Sequence, residues 1–234
     1  MQDIVDVLGE AGVTPDIIRL VDIGAMSCGA ADPWGRLVDR GQAHLLGFEP
    51  QKDECARCNA MTGPGYRYLP EALGDGTTRP FHRCRSAPNS SFYTPNVEVL
   101  GRFEGLLELM EIVDTTSIAT RRLDDIEEAR STDFLKLDVQ GAELDILGHA
   151  TETLGHVGLI QTEVCFMQLY ENQPLFADID DFLRVRGFEL YTFWGFGTRM
   201  QEPLSGTDIP RSYCKQVLWS DAVYLKRFDL ASKD

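Results

Sequence analysis

Apolar residues along the chain fall into short runs, separated by stretches in which they recur at helical spacing. Runs at 19–23, 44–48, 66–69, 134–139, 157–164, 188–194 and 217–225 predict seven strands. Pro70 is expected to bend the third of these, which should end near Ala72-Leu73-Gly74-Asp75. Helices are predicted after Pro33 with Gly41 as stop, over 53–61, over 141–150, and where Phe176, Ile179, Phe182 and Leu183 share a face that Gly187 ends. Residues 1–18 read as a short amphipathic opening segment, with Ile4, Val5, Val7 and Leu8 apolar and Gly12 closing it.

Residues 77–124 break this rhythm. Thr78 to Arg83 alternates weakly like a hairpin strand, Asn89-Ser90-Ser91 is turn-like, and Leu100, Phe103, Leu106, Leu107 and Met110 fall at helical spacing. The pattern carries no repeat or linker, so 19–234 reads as one domain with an irregular insertion at about 77–124. Strands alternating with helices predict an α/β fold, a parallel sheet covered on both faces with right-handed crossovers. Ligands of such sheets bind outside the carboxyl ends of the strands, so the residues just after each strand carry the chemistry.

Charge narrows the partners. Lys and Arg number 22 against 37 Asp and Glu, a net charge of −15. That excludes a nucleic-acid binder, which needs clustered cations, and works against an anionic membrane surface. No run approaches the ~20 apolar residues of a membrane span, and Met1-Gln2-Asp3 opens no charged-then-apolar leader. Six cysteines are too sparse for a disulfide scaffold, and the expectation is a soluble protein of the reducing cytoplasm. Cys55-x-x-Cys58, with His82 and Cys84 as possible partners, is the one zinc candidate; lacking a second such pair and lying in a predicted helix, it reads as two buried thiols, and no metal is expected.

At the strand ends stand small and acidic residues. Strand one closes on Asp22-Ile23-Gly24-Ala25, and strand two on Glu49, at the spacing from the glycines where an acidic group reaches a ribose diol. Asp138 follows the fourth strand, ahead of the expected helix cap, and Glu163 lies between apolar neighbours inside the fifth, where a carboxylate needs a partner or a ligand. The pattern indicates a nucleoside ligand. The three-glycine dinucleotide fingerprint is absent, since Ala25 and Met26 follow Gly24, which disfavours a nicotinamide-dependent oxidoreductase.

The order Val21-Asp-Ile-Gly-Ala25, Gly47-Phe-Glu-Pro50, Ala72-Leu-Gly-Asp75, Ser90-Ser91, Leu123-Asp-Asp-Ile126, Asp133-Phe-Leu-Lys-Leu-Asp-Val-Gln-Gly-Ala-Glu143 and Glu163-Val-Cys-Phe166 resembles the FkbM-family methyltransferases. The resemblance implies a Rossmann-like seven-stranded sheet with an antiparallel last strand, the class I methyltransferase fold, and S-adenosylmethionine as methyl donor. Asp22, Gly24 and Ala25 would then follow the methionine part of the donor and Glu49 would hold the ribose hydroxyls. Ala72 and Leu73 would lie near the adenine, with Asp75 as a polar contact, and Asp138 would face the reaction centre. Met26 and Cys28 depart from the family's usual Asn and Gly, removing a polar contact in the first loop.

An alcohol acceptor must lose a proton, which calls for a general base, and Asp138 and Glu163 are the candidates, with His82 behind them. The acceptor is expected to be a small molecule, a metabolite or sugar hydroxyl, read by the insertion and by the loop after strand five through Tyr170 and Gln173. Phe176, Tyr191, Phe193, Trp194 and Phe196 are expected to fill the core and sheet, with Trp194 to Gly197 able to serve as a lid. The alternative from a different class is a catalytically silent nucleoside-binding homologue.

Overall fold

The first strand, β1 (Ile18–Ile23), alternates its side chains between two apolar clusters: Leu20 packs with Trp34, Val38, Leu45, Cys55 and Tyr68, whereas Val21 and Ile23 pack with Leu135, Leu137, Leu147 and Ile160. A strand with apolar residues on both faces needs cover on both. The computed structural model, which describes residues 17–25, 34–204 and 215–227, provides it.

β1 pairs in parallel with β2 (Ala43–Phe48) on one side, and β2 with β3 (Tyr66–Leu69). Two further short strands, β4 (Ala72–Leu73) and β5 (Thr78–Cys84), lead into the insertion, which continues to β6 (Ile112–Arg121). On its other side β1 pairs in parallel with β7 (Phe134–Leu137), and β7 with β8 (Leu159–Cys165). The last two strands, β9 (Phe188–Met200) and β10 (Lys215–Lys226), complete a seven-stranded sheet of order β3-β2-β1-β7-β8-β10-β9, with β10 antiparallel to both neighbours. This is the class I methyltransferase arrangement. Sheet order reverses direction between β1 and β7, the switch point at which open α/β sheets bind ligands.

The helix Lys52–Met61 buries Cys55 and Cys58 against the sheet, and the helix Phe176–Val185 buries Ile179 and Leu183 before Gly187, at φ +83°, ends it. Cys55 is a free thiol, whereas Cys58 is disulfide-bonded, which corrects the expectation of two thiols. The expected opening segment up to residue 16, and Pro33, Met26 and Cys28, lie outside the described residues. Among the described residues no helix is long and apolar enough to cross a membrane.

Three expectations are corrected. The third strand leaves the main sheet at Leu69, and Ala72-Leu73 pairs in parallel with β6 in a second sheet of order β4-β6-β5, because Pro70 cannot donate to a ladder. The helical spacing from Leu100 to Met110 resolves into two single turns, Val97–Leu100 and Leu106–Leu109, that bury Leu100, Phe103, Leu106 and Met110 but leave Leu107 exposed. In β9, Tyr191 is 70% exposed and Phe196 55% exposed, with Trp194 also exposed. β9 is the edge strand; Phe193 and Phe176 pack directly on Phe166, and Phe196 reaches this aromatic group through Phe193.

The insertion docks across the carboxyl end of the main sheet. Arg79 pairs with Asp145 at 2.5 Å and lies over the Phe92 and Tyr93 rings, while Tyr93 donates its hydroxyl to the same carboxylate at 3.0 Å. Ser91 Oγ donates to the Gln140 carbonyl at 2.6 Å.

Candidate functional site

Main-chain hydrogen bonds tie the strand ends together. The Gly24 and Ala25 amides both donate to Phe48 O, the Glu49 amide donates to Leu69 O, and the Asp138 amide donates to Ile23 O. Gly24 adopts φ +86°, and a Cβ there would overlap the Asp138 carbonyl, so a glycine is required where β1 and β7 come together. Glu49 and Asp138 therefore emerge along one rim.

A cleft of about 160 Å³ opens on this rim. Gly24, Glu49, Ala72, Leu73 and Asp138, all named from the sequence as candidate donor contacts, line it together with Phe48, Phe81, Pro88 and Phe92. The aromatic and proline residues of the insertion thus roof an apolar slot that ends at β4. Glu49 is only 2% exposed. Its Oε1 accepts from the Gln51 amide at 2.8 Å, and its Oε2 has no hydrogen-bond partner among the described residues. Burial, the largest influence, raises its pKa. A buried carboxylate with one free oxygen and an adjacent apolar slot fit a nucleoside, with an acceptor suited to a ribose diol and a slot suited to a base.

Three of the expected donor contacts stand elsewhere. Asp22 is fully buried beside its register partner Lys136, whose Nζ lies 3.0 Å from Asp22 Oδ1 and 4.0 Å from Asp138 Oδ2. Lys136 thus links the buried β1 acid to the rim acid. Ala25 sits fully buried outside the cleft lining, its carbonyl oxygen 3.8 Å from Cys58 Sγ. Asp75 turns its carboxylate onto Thr77, accepting from its amide and hydroxyl, and these bonds lower its pKa.

Behind the cleft the chain makes a tight left-handed turn, Gln140 at φ +56° and Gly141 at φ +102°. Glu143, buried at the start of the helix Glu143–Gly148, holds this turn by accepting from the Val139 and Gly141 amides. Burial outweighs those bonds and pushes its pKa up to about 7. The turn aims the Gln140 amide between two carboxylates: Nε2 donates to Asp138 Oδ1 at 2.8 Å and to Glu163 Oε2 at 3.0 Å. A residue other than glycine held at positive φ marks a place where surrounding structure overrides local preference.

Asp138, its side chain 40% exposed, faces the cleft, whereas Glu163 faces a second, smaller cavity of about 70 Å³. Gln140 lines both. Burial raises the Glu163 pKa well above the ordinary value, and the Asp138 and Glu143 charges add to the effect. Tyr170 also lines this cavity. Its hydroxyl lies 2.9 Å from Asn89 O and 3.1 Å from Gln140 Oε1, so it steadies the amide from behind. Gln173 lines neither cavity; its side-chain oxygen accepts from the Tyr170 amide at 2.8 Å and fixes that loop. His82 stands on β5, with Nδ1 3.0 Å from Thr115 Oγ1, and lines neither cavity. Among the described residues no cluster of His, Cys, Asp and Glu has the makings of a metal site.

Sequence reasoning missed Gln140, Lys136 and Glu143 as working parts. Their signal was present in the same β7 segment that yielded Asp138, but a side chain's role in joining two carboxylates depends on a turn whose handedness no pattern shows.

Comparison with known proteins is consistent with this geometry. The chain is 33% identical over 175 residues to the 2-O-methyltransferase NoeI of Sinorhizobium fredii (strain NBRC 101917 / NGR234), covering 71% of each. Solved structures with a similar chain path include the magnesium protoporphyrin IX methyltransferase of Synechocystis PCC 6803 (TM-score 0.46, 12% identity, 96% of this chain and 76% of that one). Another is an S-adenosylmethionine-dependent methyltransferase of Mesorhizobium loti (TM-score 0.47, 10% identity, 96% and 98%). At these scores the structural likeness adds nothing to the sheet order itself. The methyltransferase FkbM domain model matches residues 22–190, the whole span from the first acidic strand end to β9, and the chain belongs to that family of methyltransferases.

Proposed function

We propose that the protein transfers a methyl group from S-adenosylmethionine to a hydroxyl of a sugar or other small metabolite. The carrying observation is the pair of carboxylates joined through one amide: Asp138 on the donor cleft and Glu163 on the inner cavity, both bonded to Gln140 Nε2. The relative NoeI, a 2-O-methyltransferase by name, supports an oxygen acceptor.

S-adenosylmethionine, when bound, supplies a methyl carried on a sulfonium and open to in-line displacement by an oxygen. Glu49 would hold the ribose diol and the Ala72-Leu73 slot the adenine. Asp138 at the rim favours a cation beside it; this favours binding of the donor without by itself lowering the barrier. The acceptor hydroxyl gives its proton to the Glu163 carboxylate as its oxygen takes the methyl. Burial raises the Glu163 pKa, and a carboxylate that binds a proton more firmly is the stronger base once ionised. The roof formed by Phe81, Pro88 and Phe92 excludes water and aligns the reactants, the main contributions a protein makes to such a displacement.

The test pairs binding with turnover. Calorimetry should show S-adenosylhomocysteine binding, and incubation with donor and a panel of sugars and polyols should give products heavier by one methyl. Binding without mass gain across the panel points to the silent homologue, and absence of binding overturns the reading.

A further inference from the structure

Arg199, half-buried on β9, is the cationic group on the wall of the inner cavity, opposite in charge to Glu163. Its guanidinium lies over the Trp219 ring at 5.0 Å and, among the described residues, donates only through Nη1 to the neighbouring Thr198 carbonyl at 3.0 Å. No carboxylate among the described residues forms an ion pair with it, although the chain carries 37 acidic residues against 22 basic ones. In a protein so rich in acids, a partly buried arginine whose planar fork is left open is placed for something outside the chain. Its platform is firm, because the Trp219 ring packs where any side chain at Gly197 would have to go.

The cavity's volume of about 70 Å³ sets what can enter. That space holds several water-sized groups, enough to admit a carboxylate. The guanidinium fork matches a carboxylate in two parallel hydrogen bonds. We infer that the inner cavity is an acceptor subsite in which Arg199, stacked on Trp219, binds a carboxylate of the acceptor, so that the substrate class is a hydroxy acid. The hydroxyl end then reaches past Gln140 towards Asp138 and Glu163, and the two acids and the arginine orient the molecule by opposite charges. This rests on the proposed methyl transfer for its purpose, but its test does not.

The experiment uses the full chain saturated with S-adenosylhomocysteine and a set of probes: glucuronate, galacturonate, lactate and 4-hydroxybenzoate, each beside its primary amide. Affinities are read by saturation-transfer NMR competition. At least one acid should bind about tenfold or more tightly than its amide, Arg199→Gln should erase that preference, and Arg199→Lys should keep part of it. Equal binding of every acid and amide, no binding by any acid, or a preference that survives Arg199→Gln overturns the inference. Methylation of neutral sugars that is indifferent to Arg199→Gln would overturn it too, while upholding methyl transfer. Failure of the protein to bind S-adenosylhomocysteine strikes the functional reading, whereas the acid preference, measured without the nucleoside, still judges the subsite.

Discussion

Gln140 Nε2 stands 3.0 Å from Glu163 Oε2, and the same nitrogen donates to Asp138, so one amide holds apart two acids that would otherwise repel. Gln140→Ala removes the donor and leaves the carboxylates facing each other. Glu163 should then hold its proton more tightly, and the acidic limb of the kcat profile should move to higher pH. The expected loss is about tenfold in kcat near neutrality, the scale of one hydrogen bond to a charged group. An unmoved limb would refute the bridging role.

Glu163→Gln tests the base directly. The folded protein raises the Glu163 pKa, chiefly by burial, so wild-type activity should climb as pH rises through that raised value and the carboxylate forms. The variant should lose that limb and about 10² or more in kcat, with affinity for S-adenosylhomocysteine retained.

Glu49→Ala should act the other way. Removing the buried acceptor from the cleft should weaken S-adenosylhomocysteine by about 10- to 100-fold, the scale of ~1.5–3 kcal/mol for hydrogen bonds to a charged group. Calorimetry on the folded variant reads this, and wild-type affinity would exclude Glu49 as the ribose ligand.

Glu143 makes stability depend on pH. Its pKa rises from 4.5 to about 7 on folding, so between those values the native state holds the proton more tightly than the unfolded chain. Its contribution is fully present below 4.5 and is lost as pH rises through about 7, a fall of about 3 kcal/mol. Urea unfolding across this window should show the decline, and Glu143→Gln should flatten it.

Gly24→Ala places a methyl against the Asp138 carbonyl at a backbone φ of +86°. The variant should lose about 3 kcal/mol of stability by the combined strain and overlap, visible as a lowered thermal midpoint. A small change would mean the β1–β7 junction yields more readily than its geometry indicates.

Much of this site was legible in the chain. Parallel strands of a doubly covered sheet need continuous apolar runs, so β1, β2, β7 and β8 stand out in the sequence, and the acids just beyond them could be named from position. Glu49 and Asp138 line the cleft for that reason. Asp22 went the other way: at a strand end it read as a ligand group, but its register partner is Lys136, and a buried acid beside a cation is drawn inward. The aromatic residues of β9 were misread because apolar composition cannot distinguish an edge strand from a central one.

The sequence by itself determined the order of strands and helices, the acids at the sheet's carboxyl end and the family they spell, because side-chain periodicity and burial are local demands that each segment states for itself. Only the tertiary structure decided that the insertion roofs the cleft, that a left-handed turn puts Gln140 between Asp138 and Glu163, and that Arg199 meets Trp219 across from them. Those relations join residues far apart in the chain, and their distances come from crossovers and turn geometry that no single segment encodes.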